Sequence, residues 1–392
     1  MKKRIFAAML ALCLIFSVAF CVTASAGNTQ LKFDKNGEFK VLHICDCQDD
    51  YPAHTEMLAF IDTVLKKYEP DLVVLGGDNT VDKAETKDEA IKELVSPFVE
   101  NEVYFTLVFG NHDREQGVDN EALLKMYQKH GGKYCLAYDA VEELSGTGNH
   151  YLPVYSSDGT EMKFNVWMFD SGTSIRDEND VWLGYDSVRD DQIEWYKSES
   201  KKLVDGNGKM VNSLAFQHII VSDVYDEMFA ESPFAMGEVT REFNGKIYSF
   251  FPKTHNFSGF LGEYPCPGYI NYGQLDAMAE TGNVLGIFSG HDHINDFELE
   301  MKGIRIINTP GATLESYGYS FTRGARLLTV KEEDTSTFES ELIRYTDLAI
   351  EDPDFAEAAG ISKIEAIFSN LAGDILVAFG KISSIFSAIL YW

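Results

Sequence analysis

Apolar residues along this chain occur in short unbroken runs that alternate with stretches of helical spacing. Glu38 to Cys45 is an apolar run that stops at Asp46. From Ala53 to Tyr68, the residues Met57, Phe60, Ile61, Val64 and Leu65 recur every three or four positions, which places them on one face of a helix. Leu72 to Leu75 predicts a second buried strand, ending in Gly76-Gly77-Asp78, and a charged helix is expected over Lys87 to Glu100. A third strand, Val103 to Phe109, runs into Gly110-Asn111-His112-Asp113. Polar residues thus cluster just beyond strand ends, the arrangement in which α/β proteins form sites past the carboxyl edge of a sheet.

The second half repeats the habit. Met162 to Phe169 predicts a strand entering Asp170-Ser171-Gly172, and Asp191 to Lys202 predicts a helix with Ile193, Trp195 and Tyr196 for packing. Leu214 to Val221 reads as a strand interrupted by His218. Val284 to Phe288 ends in Gly290-His291-Asp292-His293, and Phe297 to Tyr345 is mostly strand-like. Glu231 to Tyr272 is rich in Gly, Pro and aromatic residues without clear periodicity, which predicts a long loop controlling access. No internal repeat is visible.

Asp352-Pro353-Asp354 marks a break. Beyond it Ile361, Ile364, Phe368, Leu371, Ile375, Phe379, Ile382, Phe386 and Ile389 recur at helical spacing. This predicts an amphipathic helical tail over 355–392, with three readings open: docked on the domain, lying on a membrane surface, or self-associating. Asp374 argues against a full span.

With 45% hydrophobic and 24% charged residues in 392, the composition is that of a globular protein. The charge is less ordinary. Against 62 acidic residues stand 33 Lys and Arg, a net −29, so the chain repels polyanions and nonspecific nucleic-acid binding is excluded as a role. Any phosphate it handles needs a strong local positive charge. Met1 to Arg4 is basic, Ile5 to Val22 apolar, and Ala24-Ser25-Ala26 small, the order of a secretory signal over 1–26. A secreted or cell-surface location is expected. Removing it leaves Cys45, Cys47, Cys135 and Cys266, too few for a disulfide framework, although one bridge between Cys135 and Cys266 is compatible with the count.

Singly, the polar clusters are weak signals. Gly77-Asp78 is a common turn, and a His on an apolar strand is usually a core residue. His291 and His293, at i and i+2 past a strand, can point to one side and are the stronger pair. The ordered set is more specific. Asp46, Asp78, Asn111, His218, His291 and His293 supply carboxylate, amide and imidazole donors sufficient for two divalent ions, with Asp78 able to bridge them. Two dications against two carboxylates leave a positive excess that would draw phosphate into an acidic protein.

These blocks, in this order, resemble the calcineurin-like metallophosphoesterase superfamily, across Phe39 to Tyr345. Phe169-Asp170-Ser171-Gly172, Asp191 to Trp195 and His291 to Asp296 resemble its purple-acid-phosphatase-like branch. The resemblance implies a four-layer α-β-β-α sandwich over 38–348, with a dimetal site at strand C-terminal ends. One ion would take Asp46, Asp78 and His293, with Gln48 as a further donor; the other would take Asp78, Asn111, His218 and His291. The ions would be Mn, Zn, Fe or Mg. His112 would protonate the leaving oxygen, Asp113 would orient His112, and a metal-bridging hydroxide would attack phosphorus.

Two positions depart from the pattern. Gln48 stands where the first block carries His, and an amide is a poorer ligand than imidazole for zinc or iron. Val81 replaces the tyrosine whose bond to ferric iron gives purple acid phosphatases their colour, so a colourless protein is expected. Cys45 and Cys47 read as small apolar fillers, and His54, His130, His150 and His255 as surface or core residues. Arg176 and Arg323 are candidates for contacting phosphate, and Asn256-Phe257-Ser258 fits a glycosylation sequon. The expected activity is hydrolysis of phosphomonoesters or small phosphodiesters. The alternatives are a pyrophosphate-linked nucleotide or lipid-head-group hydrolase and a non-catalytic metal-binding surface protein.

Overall fold

The computed structural model describes residues 30–253 and 257–390. The expected signal over 1–26, His255 and the sequon residue Asn256 lie outside them.

Two sheets form the centre. The first orders its strands Asp334–Arg344, Gly324–Lys331, Glu38–Ile44, Leu72–Gly76 and Tyr104–Val108. Its last three strands run parallel, while Gly324–Lys331 joins Glu38–Ile44 antiparallel. In the second sheet the central strands Met162–Met168, Asn212–Phe216, Val284–Ser289 and Ile304–Asn308 are mutually parallel. Leu31–Lys32 and His150–Tyr155 extend it on one side, Asp296–Met301 and Phe257–Phe260 on the other.

Three buried clusters define the layers. Between the sheets, Phe39, Val41 and Val74 of the first meet Phe164, Leu214 and Phe288 of the second. The outer face of the first sheet packs against helices Thr55–Tyr68, Lys87–Glu100 and Asn120–Gly131. That of the second packs against helices Asp190–Asn207 and Gln274–Thr281. The result is the four-layer α-β-β-α sandwich. Continuous apolar runs are what strands buried on both faces require. The face chosen for Thr55–Tyr68 is Met57, Phe60, Ile61, Val64 and Leu65, all buried.

The structure corrects several expectations. The segment read as a long loop from Glu231 to Tyr272 is substantially β. Phe229–Glu231, Lys246–Pro252 and Thr240–Phe243 form a three-stranded sheet, and Phe257–Phe260 is an edge strand of the large one. Aromatic residues at many positions hide the two-residue alternation there; Tyr225 stacks on Phe243 at 4.4 Å and meets Tyr248 edge-on at 5.1 Å. The strand expected over Leu214 to Val221 ends at Phe216, which frees His218 to turn into the site. Cys135 and Cys266 form no bridge; all four described cysteines are free thiols. The chain ends in helices Tyr345–Glu351, Pro353–Ala358 and Lys363–Leu390. Phe355 and Ala366 lie in the same core as the helices flanking the first sheet.

Candidate metal centre

Parallel strands deliver the site. Glu38–Ile44, Leu72–Gly76 and Tyr104–Val108 carry Asp46, Asp78 and Asn111-His112 just past their carboxyl ends, and Asn212–Phe216 and Val284–Ser289 carry His218 and His291 to His293. The carboxyl edges of the two sheets therefore meet at one point. Asp46, Gln48, Asp78 and His291 all adopt left-handed backbone, with φ of 50°, 40°, 50° and 73°. Such conformations are costly for non-glycine residues and persist where tertiary contacts enforce them. Glycines make the close approach possible. A Cβ on Gly110 would lie 2.2 Å from Asp78 Oδ1, and one on Gly290 2.6 Å from Asp46 Oδ2.

At the centre, His218 Nε2 lies 3.1 Å from Asp78 Oδ2 and 3.8 Å from Asp46 Oδ1, while His293 Nε2 lies 3.5 Å from Asp46 Oδ1. One ligand atom each from Asp78, His218 and His291 falls within 4.8 Å of the others. The second nitrogens of two imidazoles are engaged elsewhere. His218 Nδ1 donates to the Gly76 carbonyl at 2.9 Å and His293 Nδ1 to that of Tyr317 at 3.2 Å, which leaves Nε2 of each ring facing the site, the position from which either would bind a cation. Asn111 Oδ1 and His291 Nε2 are buried and meet no hydrogen-bond partner among the described residues, and His218 Nε2 meets only the two carboxylates. Orphaned polar atoms converging beside two buried carboxylates are the donor set of a cation, so these residues fit a metal centre.

The electrostatics agree. Burial opposes charge on His218, yet the Asp78 and Asp46 carboxylates outweigh it and lift the imidazole to about 10. Burial, together with Asp78, raises Asp46 to about 8, with His218 opposing. Asp78, buried as well, is held below the usual carboxylate range by His218. A proton on His218 thus performs between two carboxylates the neutralisation that a cation would perform. Burial depresses His291 strongly and His293 to about 4, which keeps both neutral and able to coordinate.

Three assigned residues sit differently from expectation. Gln48 turns its amide nitrogen, not its oxygen, to Asp78 Oδ2 at 3.3 Å. Asp113 does not touch the His112 ring. Its carboxylate accepts from the backbone N–H groups of Gly110, Asp78, Asn79 and Thr80 at 2.8 to 3.3 Å, tying the two ligand-bearing turns together. The partner of His112 is Glu115, whose Oε2 lies 2.7 Å from Nδ1, while His112 Nε2 lies 4.0 Å from Asp78 Oδ2. Burial opposes charge on His112, but Asp78 and Glu115 together raise it above the ordinary imidazole value. Glu115 was missed because the resemblance pointed to the adjacent acid; its i+3 spacing from His112 was the available signal.

A cleft of about 270 Å³ opens onto the centre, lined among others by His112, Tyr185, Cys266, Tyr317 and Val81. The ring of Tyr317 stacks on His293 at 4.3 Å, and Tyr185 stands edge-on to His291 at 4.2 Å. Neither aromatic was singled out from sequence. No Lys or Arg lines the cleft among the described residues. Arg176 donates to the Asp180 carbonyl and Arg323 to that of the cleft residue Ser316, and neither arginine is among the lining residues. His54 pairs with Asp49 and Glu315, His130 with Asp88, and His150 is a buried residue bonded to Thr106. Cys45 and Cys47 are buried.

A model of the calcineurin-like phosphoesterase family matches residues 39–295, and the chain belongs to that family. Among its relatives, the protein named probable inactive purple acid phosphatase 14, of Arabidopsis thaliana, is 26% identical over 363 residues, covering 85% of this chain and 86% of its own. Probable inactive purple acid phosphatase 29, of the same plant, is 26% identical over 343 residues, with coverage of 79% and 81%. Phosphatase DCR2 of Saccharomyces cerevisiae is 25% identical over 315 residues, covering 74% of this chain and 49% of its own. A solved dimetal phosphatase from Danio rerio is 13% identical, with a TM-score of 0.47 and coverage of 78% and 99%.

Proposed function

We propose that this chain is an exported, metal-dependent phosphoesterase acting on phosphomonoesters or small phosphodiesters. The observation that carries the reading is His112. Its Nε2 faces the metal centre, its Nδ1 is held by Glu115, and a pure binding scaffold has no need of such a group.

Asp46, Asp78, Asn111, His218, His291 and His293 would hold two divalent ions. Bound there, such ions supply Lewis acidity and lower the pKa of coordinated water. This chain's own residues perform the rest. His112 holds a proton at Nε2 for the departing ester oxygen, and Glu115 fixes the ring by accepting from Nδ1. The cleft admits a small ester, and with no Lys or Arg among the described residues of its walls phosphate affinity would come from the ions.

The test uses the chain from Gly27, stripped with chelator and resupplied with Mn²⁺, on p-nitrophenyl phosphate and bis-p-nitrophenyl phosphate. Turnover should require metal and collapse in His112→Asn. Unchanged turnover in that variant sinks the mechanism.

A non-catalytic metal-binding role is the second reading. It is favoured by the Gln48 amide on Asp78 and by the names of the two Arabidopsis relatives. Metal uptake without hydrolysis of either ester, nor of pyrophosphate or lipid-head-group substrates, would establish it.

A further inference from the structure

The last helix, Lys363–Leu390, is mounted with its apolar face outward. Its inner side is small and polar. Gly373 is buried so closely that a Cβ would meet Phe321 at 2.6 Å. Asn370 accepts from Thr346 and donates to Asp347, both at 2.6 Å, and the hydroxyls of Ser369 and Ser320 lie 2.7 Å apart. On the outer side Ile364, Phe368 and Phe379 are 69%, 66% and 65% exposed, and Ile367, Leu371 and Ile375 are exposed beside them. The same spacing continues in the sequence through Ile382, Phe386 and Ile389.

The distribution of charge says what this face meets. At about 100° per residue, the arc from Asp374 round to Glu365 spans roughly 180° and contains no charged position. Lys363 and Lys381 fall just outside the Asp374 edge. A second copy paired helix to helix would cover only the narrower seam of a coiled coil. Each copy also carries −29, which opposes close approach. A broad dry face with charges at its rim is the pattern of a helix lying in a lipid interface. None of the described helices is long and apolar enough to cross a membrane.

We propose that this helix docks in the plane of a zwitterionic lipid surface, the acidic chain disfavouring an anionic one. The segment that holds it also borders the cleft. Ser316 and Tyr317 line the cleft, while Ser320 and Phe321, a few residues on, contact Ser369 and Gly373. Docking thereby fixes where the cleft sits relative to the surface, whether or not the centre is hydrolytic.

The chain from Gly27 should float with phosphatidylcholine vesicles in a density gradient and remain monomeric in their absence by sedimentation. A triple variant, Phe368→Asp, Ile375→Asp and Phe379→Asp, should lose at least about tenfold in partitioning while keeping its melting temperature. If the triple variant unfolds, Ile364→Asp alone, at the most exposed position, should still reduce partitioning several-fold. Failure of the parent to float, or equal flotation of a folded variant, overturns the proposal. A parent that is dimeric without lipid and becomes monomeric in the variant assigns the face to a second copy instead.

Discussion

Glu115 Oε2 lies 2.7 Å from Nδ1 of His112, one helical turn's spacing along the chain, and is the carboxylate that orients this imidazole. The acid next to His112 in sequence is occupied elsewhere, with Asp113 accepting four backbone N–H groups. Two neighbouring carboxylates thus divide into one that pairs with the imidazole and one that holds the turns.

Glu115→Gln should lower kcat by about tenfold with little change in KM, since His112 is misoriented while substrate binding is untouched. Glu115 is one of the groups that raise His112. Activity that needs protonated His112 falls as pH rises through its pKa, so the variant should show that fall beginning at lower pH. A pH profile identical to that of the parent would remove Glu115 from the mechanism.

Asp113→Asn should act on stability first. The amide presents N–H to backbone donors, breaking at least two buried hydrogen bonds at a cost of about 2 to 4 kcal/mol. Thermal melting should register the loss with or without metal. An unchanged melting temperature would mean that the turns are held without this carboxylate.

Gln48→His should tighten metal binding by roughly tenfold, because imidazole is the better donor and would replace an amide that now points its nitrogen at Asp78. Titration against a competing chelator reads this directly. Equal affinity would show that position 48 lies outside the coordination shell.

The two buried histidines His150 and His43 should each cost stability on acidification below neutral pH. Burial depresses His150 to about 4 and His43 to about 3, with His150 accepting and donating at Thr106 and Gly148 as a neutral ring. The unfolded chain protonates these rings below about 6.5 while the folded chain does not, so stability present above that pH is lost between roughly 6.5 and 4. The contribution of His150 is on the order of 3 kcal/mol. His150→Gln should flatten the pH dependence of the denaturation midpoint over that window, and an unaltered slope would contradict the assignment.

Much of this protein is visible in its residue order. The strands ending at Ile44, Gly76 and Val108, and the helix face from Met57 to Leu65, follow from local periodicity, because burial on a regular element imposes a regular spacing. The ordered polar turns beyond those strands were legible for the same reason, since parallel strands must end at a common edge. The β structure between Phe229 and Phe260 was not, because aromatic residues erase the alternation on which a strand is recognised. Nor could spacing reveal which way a side chain turns within a tight turn. That Asp113 gathers N–H groups from Asp78, Asn79 and Thr80 and that Gln48 offers its nitrogen to Asp78 are outcomes of contacts between turns far apart in sequence, while Glu115 takes His112 within its own turn. The final helix shows the division most plainly. Its amphipathic spacing is written in the sequence, but only the fit of Gly373 against Phe321, and of Asn370 between Thr346 and Asp347, turns the apolar side outward.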